Sequence, residues 1–274
     1  MLGVSIKGNA VYVTRRDGDG TLYHRLETGS GIISGENIWD RADDELKKAY
    51  AAAALMALAV PGARCLAKRI ELDDRMNGEK DDYRRWRAGL ELPDDPDKFI
   101  YGFLPVSRRF DSVKSEMIFY AAPKTEIEKS SASVFAGRAP ESCLLIPEQL
   151  ALTEVLRESI SKDDISQAAI VSVDDDGAVA VIMRDNRYHH SRSFEFSGLR
   201  KNEFGLDLET YLLSRKTEDE ELPLVVLGST GELKLDWSPV VPVFLGIDKL
   251  DYAVSWGVCE FALAGGRCEL SAAS

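Results

Sequence analysis

Two eight-residue phrases written far apart in the chain constrain its fold more than any other feature. AVYVTRRD at 10–17 and AVAVIMRD at 178–185 agree at five of eight positions. Each sits in a similar setting. The first belongs to VSIKGNAVYVTRRDGDG, the second to VSVDDDGAVAVIMRDN. Val11 and Val13 alternate with Tyr12 and Thr14 in one, and Val179 and Val181 recur at the same spacing in the other. Asp and Gly, or Asp and Asn, follow as turn residues, and TLYHRLE or YHHSRSFEF then returns as a further strand. Turn chemistry between alternating runs is a hairpin signal. Each unit therefore predicts a three-stranded antiparallel meander, and the pair predicts a duplicated architecture.

Helical and strand signals fill the rest. Residues 40–60, DRADDELKKAYAAAALMALAV, are rich in good helix formers with acidic residues at the start, and predict a helix ending at Pro61-Gly62. Residues 63–72 predict a strand, 79–90 a short charged helix, 98–106 and 115–122 strands. Residues 123–137 predict a helix with Pro in its first turn and Gly past its end. SCLLI predicts a buried strand, 147–160 an amphipathic linking helix, 206–215 a short helix, LPLVVLG a strand and 252–264 a closing helix. Meander-plus-helix lobes joined by a helix describe an α/β, actin-like (ribonuclease H-like) two-lobed fold. Residues 1–160 are expected to form the first lobe, with a small α/β subdomain inserted over about 66–140, and 161–274 a shortened second lobe.

The net charge is −12, which argues against nucleic acid as a partner and against adhesion to an anionic membrane surface. The longest apolar run, residues 51–60, is too short to cross a bilayer and predicts a buried helix. The opening enters a strand-like pattern at once, so no signal peptide is expected. The four cysteines form no CxxC pair and are expected to be reduced. His24, His189 and His190 are the only histidines, and the adjacent pair points to opposite faces of a strand, a poor metal site. The cluster Arg84-Arg85-Trp86-Arg87 is expected to be a solvated helix face balanced by Asp81 and Asp82.

Several stretches resemble the actin-like type IV pilus assembly protein PilM, whose relatives include the cytoplasmic domain of the type II secretion protein GspL and the cell-division actin FtsA. MLGVSIKGNAVYV resembles the family's first strand and turn. AKRIEL and the charged helix after it, FIYGFLPV, and MIFYAAPKTEIE resemble its inserted subdomain. LLIPEQLALTEVL resembles the helix joining the lobes, and YAVSWGVCEFALAGG the closing helix. The similarity is diffuse and touches most of the chain.

Against that resemblance, the nucleotide-binding elements depart from pattern. The family places an Asp on the first strand of each lobe and small residues in the turn that follows, so that backbone N–H groups approach phosphates. Here the first turn reads Ser5-Ile6-Lys7-Gly8-Asn9, with Ser in place of Asp and Lys in place of the first Gly. The second reads Ser172-Val173-Asp174-Asp175-Asp176-Gly177, with Ser again in place of Asp and three carboxylates where a phosphate would approach. Like charges that close cost on the order of several kcal/mol in a poorly solvated cleft. Gly228-Ser229-Thr230-Gly231 stands where the family has its adenosine loop. Lys7, Gly8, Asn9, Gly228, Ser229, Thr230 and Gly231 are thus candidates for vestigial nucleotide contacts. Between the second meander and that loop only residues 199–221 remain, short of the ~50 residues a compact clamping subdomain needs.

The resemblance implies a cytoplasmic scaffold of a type IV pilus or type II secretion inner-membrane assembly, without ATP hydrolysis and with ATP and Mg²⁺ disfavoured as cofactors. It implies a partner, the short cytoplasmic tail of a single-pass, PilN-like inner-membrane protein, docked in a groove of the first lobe near the inserted subdomain. Phe99, Tyr101, Phe103 and Phe119 are the candidates to line that groove, against core packing for each. Self-association stays open. The alternative is a divergent ATPase or small-molecule kinase of the same superfamily, with Lys7, Gly8 and residues 228–231 as its remnants.

Overall fold

A computed structural model describes residues 1–8, 10–17, 20–28, 37–62, 65–73, 80–108, 114–135, 143–160, 165–174, 177–196, 201–217, 221–228, 237–238, 240 and 247–264. The two repeated phrases form the middle strands of two meanders, but one residue out of register. Lys7 faces Ala10 where the second hairpin closes on Asp174 and Gly177, so Val11 and Val13 face the outer core of their sheet and Val179 and Val181 the central one. In the first meander, β1 (Leu2–Lys7), β2 (Ala10–Asp17) and β3 (Gly20–Glu27) run antiparallel, with Val4 opposite Val13 and Val13 opposite His24. In the second, β9 (Gln167–Val173), β10 (Gly177–Arg184) and β11 (Arg187–Glu195) do the same, with Val181 opposite Ile170. Asp185 and Asn186 take positive φ in the β10–β11 turn, a conformation those two residue types tolerate best after glycine.

Each meander gains a parallel strand on the inner side. β4 (Met56–Val60) joins β1, and β12 (Leu224–Gly228) joins β9. β8 (Cys143–Pro147) extends the first sheet beyond β4. The sheet orders β3-β2-β1-β4-β8 and β11-β10-β9-β12 therefore repeat one plan. Between β4 and β8 in sequence lies a third, antiparallel sheet of β5 (Leu66–Asp73), β6 (Phe99–Arg108) and β7 (Lys114–Pro123) in the order β5-β7-β6.

The long helix expected over residues 40–60 is corrected. A 3₁₀ turn, Ile38–Arg41, precedes α1 (Asp44–Ala52), whose N-terminus is capped by the Asp43 carboxylate accepting from the Leu46 N–H at 2.7 Å. The chain then turns, and the apolar run ends as strand β4, not helix. Every residue of β4 is buried, with parallel neighbours on both edges. A strand buried on both faces reads as an unbroken apolar run and carries no period of two. Its alanines favour helix in isolation, and the tertiary setting overrides that preference.

The helices make alternate layers with the sheets. On the outer face of the first sheet, α1 and α3 (Lys124–Val134) cover Leu2, Val4, Val11 and Val13, and the Trp39 indole donates to the Val134 carbonyl at 2.8 Å. On the outer face of the second sheet, α5 (Lys201–Arg215) contributes Phe204, Leu208, Tyr211 and Leu212. Between the two sheets lie α4 (Glu148–Ser159) and α6 (Ala253–Leu263), whose apolar residues share one core with Ile170, Val179 and Val181. The last helix packs back on β1, β2 and β4 of the first sheet, so the chain's end locks onto its beginning. Thr14 Oγ1 and Ser255 Oγ share a buried hydrogen bond of 2.7 Å across that contact. Against the third sheet, α2 (Lys80–Glu91) covers one face with Ala88.

Candidate functional site

The two turns expected to carry phosphate face one another across the central layer. β1 places Gly3, Ser5 and Lys7 on the face opposite the Leu2 and Val4 core. Ser5 and Ser172, the two residues standing in matching places on β1 and β9, are both buried. Beyond them, Lys7 at the end of β1 and Asp174 just after β9 form an ion pair, Nζ to Oδ1 at 3.2 Å. The Lys7 side chain is 14% exposed and that of Asp174 41%. Like its neighbour Lys7, Gly8 belongs to the first turn, with φ +53° and, among the described residues, no neighbour where a side chain would extend. Asn9, Asp175, Asp176, Ser229, Thr230 and Gly231 lie outside the described residues.

Gly228 ends β12 with φ +95°, opposite Val173 in the parallel register. A Cβ there would sit 3.1 Å from the Val173 carbonyl carbon and closer still to its oxygen. Backbone packing therefore demands this glycine whether or not a ligand was ever held.

Sequence reasoning missed a third polar group in this cleft. Glu148, the first residue of α4, is buried, and its Oε2 accepts the Gly62 N–H at 2.7 Å. Burial pushes its carboxyl above the ordinary carboxylate range, and Asp174 pushes the same way. The Lys7 ammonium, the Gly62 N–H and the nearby Ser172 hydroxyl oppose that rise without cancelling it. The Ser172 hydroxyl stands near Glu148 but outside regular hydrogen-bond geometry, and it, Ser5 Oγ and Gln149 Oε1 are buried polar atoms of this cleft without a hydrogen-bond partner among the described residues. The signal in the sequence was Glu148-Gln149 set within the apolar run of the linking helix.

The turn after β4 is where the inserted sheet and the second sheet meet this cleft. Gln149 Nε2 donates to the carbonyls of Gly62 and Cys65 at 3.1 and 2.7 Å, and Ser193 Oγ donates to Gly62 at 2.7 Å. A side chain on Gly62 would meet Val179 Cγ2 at 2.6 Å. Tyr188 on β11 donates through its hydroxyl to the Ala67 carbonyl at 2.8 Å.

Of the four aromatic candidates, Phe119 is fully buried and is corrected to a core residue. Phe99, Tyr101 and Phe103 alternate along β6 on the face that α2 covers, and Phe103 pairs directly with Phe119, ring centroids 5.3 Å apart. Phe99 also borders a groove of about 790 Å³ between the start of β5, the end of α2 and β11, with Leu66, Leu92 and Arg192 among its other walls. Asp81, one of the two acids expected to balance the arginines of α2, has its side chain outside the described residues. Arg85 pairs with Asp97 and Arg87 with Glu91, each at 2.7 Å, while Arg84 lies over the Phe103 ring.

His190 Nδ1 and the Tyr211 hydroxyl are 2.9 Å apart. Burial, Arg215, His189 and Lys68 together lower that imidazole to about 4, so it is a neutral packing group at neutral pH. Among the described residues no set of three or more His, Cys, Asp and Glu side chains is arranged to hold a metal, and no helix is long and apolar enough to cross a membrane.

This arrangement of duplicated sheets about two central helices is an actin-like fold. No family model and no curated protein matches the sequence. Solved structures do. One is the PilM–PilN type IV pilus biogenesis complex, matched at TM-score 0.67 and 14% identity over 97% of this chain and 98% of that one. Another is the cytoplasmic domain of EpsL, an inner-membrane component of the type II secretion system of Vibrio cholerae, at TM-score 0.54 and 13% identity over 96% and 94%. A Bacteroides thetaiotaomicron protein with an actin-like ATPase fold and unknown function matches at TM-score 0.55 and 11% identity over 93% and 94%.

Proposed function

We propose that the chain is a cytoplasmic actin-like scaffold of a bacterial type IV pilus or type II secretion inner-membrane assembly, holding the tail of a membrane partner without hydrolysing ATP. The observation that carries this reading is the likeness to a chain of the PilM–PilN complex over 97% of this chain and 98% of that one. The loss of hydrolysis is supported by serine in both places where the family has aspartate, and by a carboxylate, Asp174, in the second turn. A partner tail fits the groove beside Phe99, which offers Leu66 and Leu92 for apolar side chains and Arg192 and Ser193 for polar ones.

Affinity purification of the tagged chain from its native cells tests this. It is expected to enrich a single-pass inner-membrane protein whose short cytoplasmic segment, made as a peptide, binds saturably. Leu66→Asp in the groove wall, 37% exposed, is expected to weaken that binding at least tenfold with the fold intact. Enrichment of soluble enzymes with no membrane component would contradict the proposal.

A further inference from the structure

Lys7, opposite Ala10, and Asp174, whose N–H donates to the Gly177 carbonyl, each close the first turn of their meander. The two hairpins therefore carry opposite charges at the corresponding place, and folding brings them within 3.2 Å. The turns belong to different sheets, so the pair spans the cleft between them. Lys7 is mostly buried, and a mostly buried ammonium needs an anion close by. Glu148 lies near it too and feels its charge, while its Oε2 also accepts the Gly62 N–H; the ion pair across the cleft is with Asp174.

We propose that the Lys7–Asp174 pair is an internal latch. Asp174 serves as a tethered anion in the cleft, so the two sheets are drawn together with no ligand present. Where an actin-like cleft closes on a phosphate, this one closes on its own side chain. The inference concerns how the cleft is held and stands independently of which partner the chain serves.

A double-mutant cycle on the full chain, read by amide hydrogen exchange in the segments ending β1 and β9, tests it. Lys7→Met and Asp174→Asn each alone are expected to speed exchange there, by about fivefold or less for a pair with one partner 41% exposed. Lys7→Met should be the faster, since it also removes the positive charge that opposes the rise at Glu148. The double variant is expected to exchange no faster than Lys7→Met, because the second substitution removes nothing further. Raising NaCl to about 1 M should speed exchange in the wild type and leave the double variant unmoved. Should Lys7→Met not fold, Asp174→Asn and the salt comparison carry the test unaided. Independent effects that multiply in the double variant, or a wild type indifferent to salt, would overturn the latch.

Discussion

Gly257→Ala is expected to lower the melting temperature by about 6–12 °C. In an isolated helix the same change would stabilise by about 1 kcal/mol, because alanine is the better helix former. Here α6 crosses α4 at this residue. A Cβ on Gly257 would lie 2.8 Å from the Ala151 carbonyl carbon, 3.1 Å from its Cα and nearer still to its oxygen. These are backbone atoms of a buried helix and cannot rotate aside, so the two helices must separate. Ala151, Leu150, Val254 and Val258 share the core around that crossing and would lose contacts together. Overpacking of this kind costs about 3 kcal/mol, and a domain this size loses about 2–4 °C for each kcal/mol. Thermal unfolding followed by circular dichroism reads the sign directly. An unchanged or raised melting temperature would mean that the helices do not meet as described.

Gly228→Ala is expected to be of similar severity. The residue holds φ +95°, where an L side chain is strained, and its Cβ would press on the Val173 carbonyl. Relief requires β12 to move away from β9 at the point where β9 delivers Asp174 to the cleft. The change should therefore cost about 3 kcal/mol and speed amide exchange in the second turn. Gly8→Ala provides the contrast. Its φ is +53° but among the described residues no atom lies within 4 Å of the added carbon, so it should cost about 1 kcal/mol, from backbone strain alone. Equal losses at the two glycines would show that the packing against Val173 is not what Gly228 serves.

The fold was legible in the sequence where local pattern and tertiary role agree. The repeated phrases AVYVTRRD and AVAVIMRD are both bounded by turn residues, which marks each as the middle strand of a hairpin pair, and Asp185 and Asn186 suit the positive φ they adopt. Strand β4 was not legible. Residues 56–60 are buried on both faces, which erases the alternation, and their alanines carry a helical preference that only the neighbours β1 and β8 overrule. In the cleft, the residue types of both turns could be read, including the serines that replace aspartate. Their pairing could not, since Lys7 and Asp174 are brought together only by the stacking of two sheets on α4 and α6. Glu148 was passed over because an acid at the start of a helix normally sits in water beside the helix dipole, and nothing local marks this one as buried. The aromatic residues of the inserted sheet were open between partner contact and core. Strand register resolves Phe119 and Phe103 as one cross-strand pair beneath α2.

The measurement that bears most directly on the central claim, a cleft closed by the protein's own charges and not by nucleotide, is the melting temperature of the wild-type chain with and without millimolar Mg-ATP. A ligand bound at a hundred times its dissociation constant adds about 2.7 kcal/mol, or about 5–11 °C for a domain of this size. No shift beyond that given by Mg²⁺ with an equal ionic strength of NaCl is the expected result. A saturable rise of several degrees, specific to the nucleotide, would contradict it.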